Sequence, residues 1–109
     1  MLELWQTEWC PSSRRVRERL TELGVDYVVR QVPVERADRR ALVEATGSDS
    51  IPAIVMTDRR AAVGEQAISS LLDEHFTEPR EAGAHRAKAE KLRRRYLEEE
   101  CECPEPATR

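Results

Sequence analysis

The chain has 109 residues and a mass of 12.5 kDa, which is the size of one ordinary domain and excludes a large multidomain enzyme. Charged residues make up 36% of the sequence and apolar residues 39%, and the net charge of -3 does not favour nucleic acid as a partner. No apolar run approaches the ~20 residues that cross a membrane, and the start lacks a secretory signal pattern, so we expect a cytoplasmic protein with no membrane partner.

The amino-terminal third predicts a strand, a helix and a second strand. Residues 2–6 begin with alternating apolar and polar side chains, as a half-buried strand does. A helix is predicted over 11–23, because Pro11 suits the first helical position and Gly24 suits the end. Residues 26–32 are rich in β-branched side chains and predict a strand. This order makes a βαβ unit with parallel strands.

The next residues complete a mixed sheet. A helix is predicted over 37–46, and two strands joined by a tight turn are predicted over 51–57 and 61–63. A third helix over 64–76 has apolar side chains spaced for one buried face. The order β-α-β-α-β-β-α predicts an α/β sandwich with a mixed four-stranded sheet in residues 1–77.

The remaining residues differ in composition. Residues 78–100 are mostly charged, and their strongly apolar positions are Leu92, Tyr96 and Leu97. They predict an extra charged helix, which docks through this small stripe, extends into solvent or pairs with another copy to give a weak dimer. Residues 101–109 contain two prolines and no apolar pattern, which predicts a flexible tail.

Cys10 lies between the first predicted strand and the first predicted helix. Unpaired backbone N–H groups of a first helical turn and the positive end of the helix dipole both favour thiolate over thiol. A free thiol has a pKa of ~8.5, and such sites bring the pKa into the range ~3.5 to 7.5. Arg14 and Arg15 add positive potential one turn along, whereas Glu8 opposes it. We expect a nucleophile here, and the alternative is a small buried side chain in a loop.

A second feature is the tripeptide Ser50-Ile51-Pro52 at the start of the third predicted strand. Proline cannot donate to a sheet ladder. At this point it indicates a sheet edge, a strand start, or a cis peptide that turns backbone groups toward a site. Because only ~5% of X-Pro bonds in folded proteins are cis, the tripeptide by itself leaves the isomer open.

Together these residues resemble the glutaredoxin branch of the thioredoxin-like fold over residues 1–77. Cys10-Pro11-Ser12-Ser13 is similar to the Cys-Pro-x-Ser form of that family's active site, with Trp9 as a rim of the substrate groove. Ser50-Ile51-Pro52 is similar to its cis-proline motif, and Gly64-Glu65-Gln66 begins the following helix. The amino-terminal domain of glutathione transferases is similar in the same places.

The resemblance implies a site for glutathione or a similar low-molecular-weight thiol such as mycothiol, which would act as co-substrate. The backbone of Ile51, held by a cis Pro52, would pair with the cysteinyl part of that thiol. Its γ-glutamyl end would bind at Glu65 and Gln66, where exposed N–H groups receive the carboxylate. Arg39 would contact the glycyl carboxylate.

Three positions depart from the family pattern. Thr7 stands where the family usually has a lysine, Gln66 where it has an acidic residue, and Ser13 where it has a second cysteine. Thr7 and Gln66 put the identity of the small thiol in question, whereas Ser13 limits the mechanism. Because residue 13 is not a second cysteine, the motif supports a monothiol mechanism for Cys10.

In that route the Cys10 thiolate attacks a mixed disulfide between a substrate protein and the small thiol, and a second thiol molecule regenerates it. Cys101 or Cys103 is an alternative resolving residue if the tail reaches the site. The partners implied are a low-molecular-weight thiol and a thiol-containing protein.

Three other functions stay open. The first is a non-catalytic module that binds a small thiol, and the second is a transferase-like domain that activates bound glutathione without its own thiol. The third, which is less favoured, is a shared iron-sulfur cluster, because Pro11 stands where cluster-binding relatives have glycine. No other metal is expected, since Cys101 and Cys103 are too few for a closed zinc site.

Overall fold

The computed structural model describes the backbone of residues 1–102 and the side chains of residues 1–94. The four strands are β1 (Glu3–Gln6), β2 (Val28–Gln31), β3 (Ala53–Val55) and β4 (Ala61–Val63). The four α-helices of this part are α1 (Pro11–Leu23), α2 (Arg40–Thr46), α3 (Glu65–His75) and α4 (Ala82–Glu102). The predicted order β-α-β-α-β-β-α, followed by an extra helix, is confirmed.

The strands form one mixed sheet in the order β2-β1-β3-β4. Strand β1 runs parallel to β2, with Gln6 opposite Gln31, and antiparallel to β3, with Trp5 opposite Ala53. Strand β4 runs antiparallel to β3, with Ala53 opposite Val63. The last residues of β1, β2 and β4 and the first of β3 therefore lie at one end of the sheet, which we call the Gln6 end. Helices α1 and α3 both begin there.

Two apolar cores lie on the two faces of this sheet. The larger core joins the sheet to α1 and α3, and its fully buried members include Leu4, Leu20, Ile54 and Leu72. The smaller core contains Val32, Leu42 and Ala53 and joins the sheet to α2. Burial on both faces fixes the strand register, since a slip by one residue exchanges the two faces. The Gln6 end is held in place by this packing.

Several predicted elements are shorter than their sequence patterns, and β3 covers only Ala53–Val55 of the predicted 51–57. Strand β2 is the edge of the sheet, all four of its side chains are exposed, and pairing with β1 ends it at Gln31. The helix predicted over 37–46 is divided into a 3-10 turn, Arg36–Asp38, and α2. Arg39 separates the two with φ -90° and ψ 49°, which lies outside the helical region.

The charged helix predicted within 78–100 runs from Ala82 to Glu102 and packs on α1. Leu92 of the expected apolar stripe is 52% exposed, and the side chains of Tyr96 and Leu97 lie outside the described residues. The docking groups are the buried Ala82 and two ion pairs, Arg86 with Glu22 at 3.2 Å and Arg93 with Glu18 at 2.5 Å. The dense charge of α4 therefore meets opposite charge on α1.

Residues 101 and 102, which the sequence assigned to the tail, continue α4. Cys103 and the rest of 103–109 lie outside the described residues, as does the side chain of Cys101. The proposed resolving cysteines stay a prediction. Within the described part of the chain, each helix falls short of the length or the apolar character that crossing a membrane demands.

Gly24 ends α1, and its replacement tests how strictly the backbone needs glycine there. Its φ of 69° is left-handed, and its N–H donates to the carbonyls of Leu20 and Thr21. Gly24→Ala is expected to lower the free energy of unfolding by about 1 kcal/mol, because a side chain disfavours this conformation. Urea unfolding measures the change.

Gly83 of α4 is the matched control, since an added Cβ meets no atom within 4 Å at either glycine. Gly83 lacks a positive φ, so Gly83→Ala is expected to leave stability unchanged or raise it by up to about 1 kcal/mol. Equal losses in both variants would contradict the conformational explanation.

Candidate active site

Cys10 caps the amino terminus of α1. Its backbone is extended, with φ -81° and ψ 121°, and Pro11 starts the helix. The Cys10 sulfur accepts the backbone N–H of Ser13 at 3.4 Å, so it takes the place that a serine or aspartate oxygen usually fills at a helix start. The side chain is half-buried, which leaves the sulfur open to a reaction partner.

The surroundings of Cys10 favour the thiolate. Burial is the largest single influence and raises the pKa of the Cys10 thiol. The Ser13 hydroxyl, the N–H groups of Ser13 and Ser12, and the charge of Arg15 act in the opposite direction. Together they outweigh burial, so the pKa lies below the ordinary value of a cysteine.

Ser13 occupies the position of the second cysteine in a dithiol motif. It is fully buried, and its hydroxyl makes no hydrogen bond of ordinary geometry with the described residues. The hydroxyl nevertheless lies close enough to the Cys10 sulfur to lower the pKa of that thiol. The group of Ser13 that donates to the sulfur is its backbone N–H.

Ile51 and Pro52, which we call the proline loop, also lie at the Gln6 end of the sheet. The Ile51–Pro52 peptide bond is cis, Ile51 is half-buried, and Pro52 is buried. The Pro52 carbonyl accepts the N–H of Gly64 at 2.8 Å, which ties the loop to the residue before α3. Cys10, the proline loop and the start of α3 thus share one end of the domain, as the resemblance implies.

An ion pair joins α1 to α3 beside this end. The Nε of Arg15 donates to Oε2 of Glu65 at 2.8 Å, and its Nη2 donates to the Ser12 hydroxyl at 3.3 Å. The hydrogen bond from Arg15 holds the pKa of Glu65 below its usual value, so Glu65 is a carboxylate. Gln66 is exposed one residue further along α3.

Arg39 has a different role from the one expected. Its side chain is buried, with 6% of the residue exposed, and its guanidinium donates to the carbonyls of Pro33, Val34 and Asp49 at 2.8 to 3.1 Å. These bonds connect the segment after β2 to the segment before the proline loop. The guanidinium is turned into the protein, which corrects the expectation that Arg39 contacts a glycyl carboxylate.

Arg36 is an exposed arginine of this region that the sequence interpretation did not single out. Its Nη2 contacts Asp49 at 2.7 Å and the Ser50 hydroxyl at 3.0 Å, directly before the proline loop. Neither periodicity nor a motif marks Arg36, because its contacts with Asp49 and Ser50 form only when the 3-10 turn packs beside the proline loop.

Two large apolar side chains, in the segments that follow β1 and β2, face solvent. Trp9 precedes it and is 64% exposed, and Val34, in the segment after β2, is 66% exposed. Thr7, which stands where the family has a lysine, is buried, and its hydroxyl has no partner among the described residues. Among those residues, no group of three or more histidine, cysteine, aspartate or glutamate side chains is placed to hold a metal ion.

A mixed sheet with a cysteine capping the first helix and a proline loop beside it defines a thioredoxin-like domain. The family model for the amino-terminal domain of glutathione S-transferases matches residues 4–80. The chain therefore belongs to the family of glutathione S-transferase amino-terminal domains. This family is the second of the two resemblances found in the sequence.

Solved structures of similar fold support this assignment. A glutathione S-transferase from Rhodospirillum rubrum F11 is 26% identical, with a TM-score of 0.62, over 72% of this chain and 35% of that one. One from Sinorhizobium meliloti 1021 is 30% identical, with a TM-score of 0.62, over 68% and 32%. The thioredoxin-like protein BC3987 is 29% identical, with a TM-score of 0.56, over 67% and 97%.

The chain thus spans about a third of the length of these two transferases, whereas its match covers nearly all of the thioredoxin-like protein. No match is found among the curated proteins.

Proposed function

We propose that the chain is a monothiol thiol-disulfide oxidoreductase that uses Cys10 as its nucleophile and glutathione, or a similar thiol such as mycothiol, as co-substrate. The observation that carries the proposal is the placement of Cys10, which is half-buried, caps α1 and has a lowered pKa. A thiolate that a partner can reach is the requirement for attack on a disulfide. A cytoplasmic location, where small thiols are kept reduced, agrees with this chemistry.

The reaction has two exchanges. The Cys10 thiolate attacks the small-thiol sulfur of a mixed disulfide, forms a disulfide with it and expels the protein thiolate. The thiolate of a second small-thiol molecule then attacks the same sulfur, releases Cys10 as a thiolate and leaves as an oxidised dimer of the small thiol. One disulfide is consumed and one is formed, so neither a metal nor another redox group takes part.

The small thiol is proposed to lie between the proline loop and the start of α3. Its cysteinyl backbone would pair with Ile51 beside Pro52, and its γ-glutamyl carboxylate would meet the first N–H groups of α3 near Glu65 and Gln66. Three features support this placement: the shared end of the sheet, the exposure of Gln66 and the partial exposure of Ile51. Trp9, exposed next to Cys10, forms the rim that a protein substrate would contact.

A transferase-like activity is the second candidate, because the matched family is that of transferases. In such an activity the bound glutathione, rather than Cys10, would supply the nucleophilic sulfur. The Arg15 charge that lowers the pKa of Cys10 would act on that sulfur as well. The two candidates differ in which thiol attacks.

A turnover assay tests the proposal in the full chain with Cys101 and Cys103 replaced by serine. We expect this variant to reduce a glutathionylated peptide when glutathione or mycothiol is added, with a rate that rises with pH through the lowered pKa of Cys10. The measurement is the release of free peptide against time. Absence of reduction with either thiol, together with conjugation of glutathione to an electrophile, would overturn it in favour of the transferase.

A further inference from the structure

Strand β2 is an open edge of the sheet. Within the described part of the chain it pairs with β1 on one side, and all four of its side chains are exposed. Val28 is 39% exposed and Val29 38%, although valine is a residue type that folding usually buries. Natural proteins protect such edges with charge, proline, a bulge or a covering element. An apolar edge without this protection is suited to pairing with another strand.

The charged side chain of β2 does not protect its open side. Arg30 donates to Glu3 of β1 at 2.8 Å, and its guanidinium carbon lies 5.9 Å from the centre of the Trp5 ring, also on β1. Both contacts hold the arginine over its own sheet. The strand contains no proline either. Its open side therefore presents backbone groups and the two valines.

The backbone of β2 directs donors and acceptors away from β1. The N–H groups of Val28 and Val32 donate to carbonyls on or beside β1 at 2.9 and 3.2 Å. Because backbone groups alternate in direction along a strand, those of Tyr27, Val29 and Gln31 face the open side. An extended segment is the partner that satisfies such a row of groups.

We propose that this partner is a second copy of the chain, whose β2 pairs antiparallel with β2 of the first across a two-fold axis at Val28. In this register Val28 lies opposite Val28 of the second copy. Tyr27 lies opposite Val29 of the second copy, and their outward backbone groups exchange hydrogen bonds. The two sheets join into one continuous sheet. The inference goes beyond the proposed function and does not depend on it.

Charge complementarity favours this partner and this register. An axis at Val28 places Asp26 opposite Arg30 of the second copy, and the symmetry repeats the pair. Both residues are exposed, and Arg30 has further N–H groups besides the one that it donates to Glu3. An axis at Arg30 would instead bring two arginines together, which is unfavourable. The segment is therefore complementary to itself.

The antiparallel pairing leaves both candidate active sites accessible. Strand β2 ends at the Gln6 end of the sheet, and antiparallel strands direct that end oppositely in the two copies. Each Cys10 is thus open to its own reaction partner. Since each copy contributes one short strand, the interface is small, and we expect a weak dimer whose population depends on concentration.

Sedimentation equilibrium of the full chain, with Cys101 and Cys103 replaced by serine, tests the proposal. The mean mass is expected to rise from that of a monomer toward that of a dimer between about 10 µM and about 1 mM chain. Val29→Pro removes an outward N–H and spares the bonds to β1, so it is expected to weaken association at least about tenfold. A parent chain that stays monomeric throughout this range overturns the proposal.

A charge exchange tests the register. Asp26→Arg opposes two positive charges across the axis and is expected to weaken association about tenfold, and Arg30→Asp is expected to do the same with two negative charges. Both substitutions in one chain return opposite charges to each pair and are expected to restore association. Glu44→Arg makes the same change of charge at an exposed position of α2 and is the matched control. Circular dichroism checks that each variant is folded.

The other outcomes overturn the proposal in distinguishable ways. Equal weakening by Asp26→Arg and Glu44→Arg, or no restoration in a folded double variant, would reject the register. Dissociation by Leu92→Glu without an effect of Asp26→Arg would place the contact on α4. A monomeric chain that binds an extended peptide would assign the edge to a peptide partner. Loss of mixed-disulfide reduction with association intact would reject the proposed function alone.

Discussion

Replacing Cys10 with serine is expected to lower the rate of mixed-disulfide reduction by at least about 1000-fold, to the rate of the uncatalysed exchange. A serine hydroxyl stays protonated at neutral pH, and its oxygen cannot form the mixed disulfide on which the second exchange acts. The cap of α1 should survive, because the serine oxygen can accept the Ser13 N–H that the sulfur now accepts. The loss should therefore be chemical, with little change in stability.

The comparison is made in chains that lack Cys101 and Cys103, so that Cys10 is the sole thiol of the parent. Circular dichroism and urea unfolding check that the serine variant is folded. Reduction that continues unchanged in Cys10→Ser would show that another thiol attacks. If conjugation of glutathione also continues, the transferase activity is the better description.

Leu20→Ala is expected to lower the free energy of unfolding by about 3 kcal/mol, within the usual range of about 2 to 5 for a buried leucine. Leu20 has no exposed surface and lies on the face of α1 that packs against the sheet. Truncation removes apolar contacts from the core that Leu20 shares with Leu4, Ile54 and Leu72. It also leaves a cavity, which the surrounding side chains fill only in part when they relax. Urea unfolding followed by far-ultraviolet circular dichroism measures the loss.

Leu92→Ala is the control for this truncation. Leu92 has the same side chain but is 52% exposed on α4, so its loss is expected to change stability by no more than about 0.5 kcal/mol. A large effect at Leu92 would mean that the outer face of α4 is covered in solution. A small effect at Leu20 would mean that α1 is not packed as described.

Local sequence signals correctly predicted the first and last residues of some elements. Helix α1 runs from Pro11 to Leu23 as expected, because proline at its start and Gly24 at its end act within a few residues of chain. Strand β2 and helix α2 are shorter than predicted, since their ends depend on contacts with distant segments. The break at Arg39 is of this kind, as three carbonyls from two loops accept from its side chain.

The site shows the same division between local and distant information. The Cys10-Pro11 pair at a helix start was readable because both residues act through the backbone next to them. The bond between Arg15 and Glu65 joins residues 50 positions apart, and no sequence spacing indicates it. The missing partner of Ser13 is a property of burial, which a single sequence does not record.

The way α4 is attached has a consequence for the molecule as a whole. The pairs of Arg93 with Glu18 and of Arg86 with Glu78 lie where water reaches both partners, whereas Ala82 and Glu22, the second partner of Arg86, are buried. Dissolved ions weaken the former contacts and leave the latter intact. Raising the ionic strength is therefore expected to weaken the exposed ion pairs along α4, while its buried first turn and the sheet keep their apolar contacts.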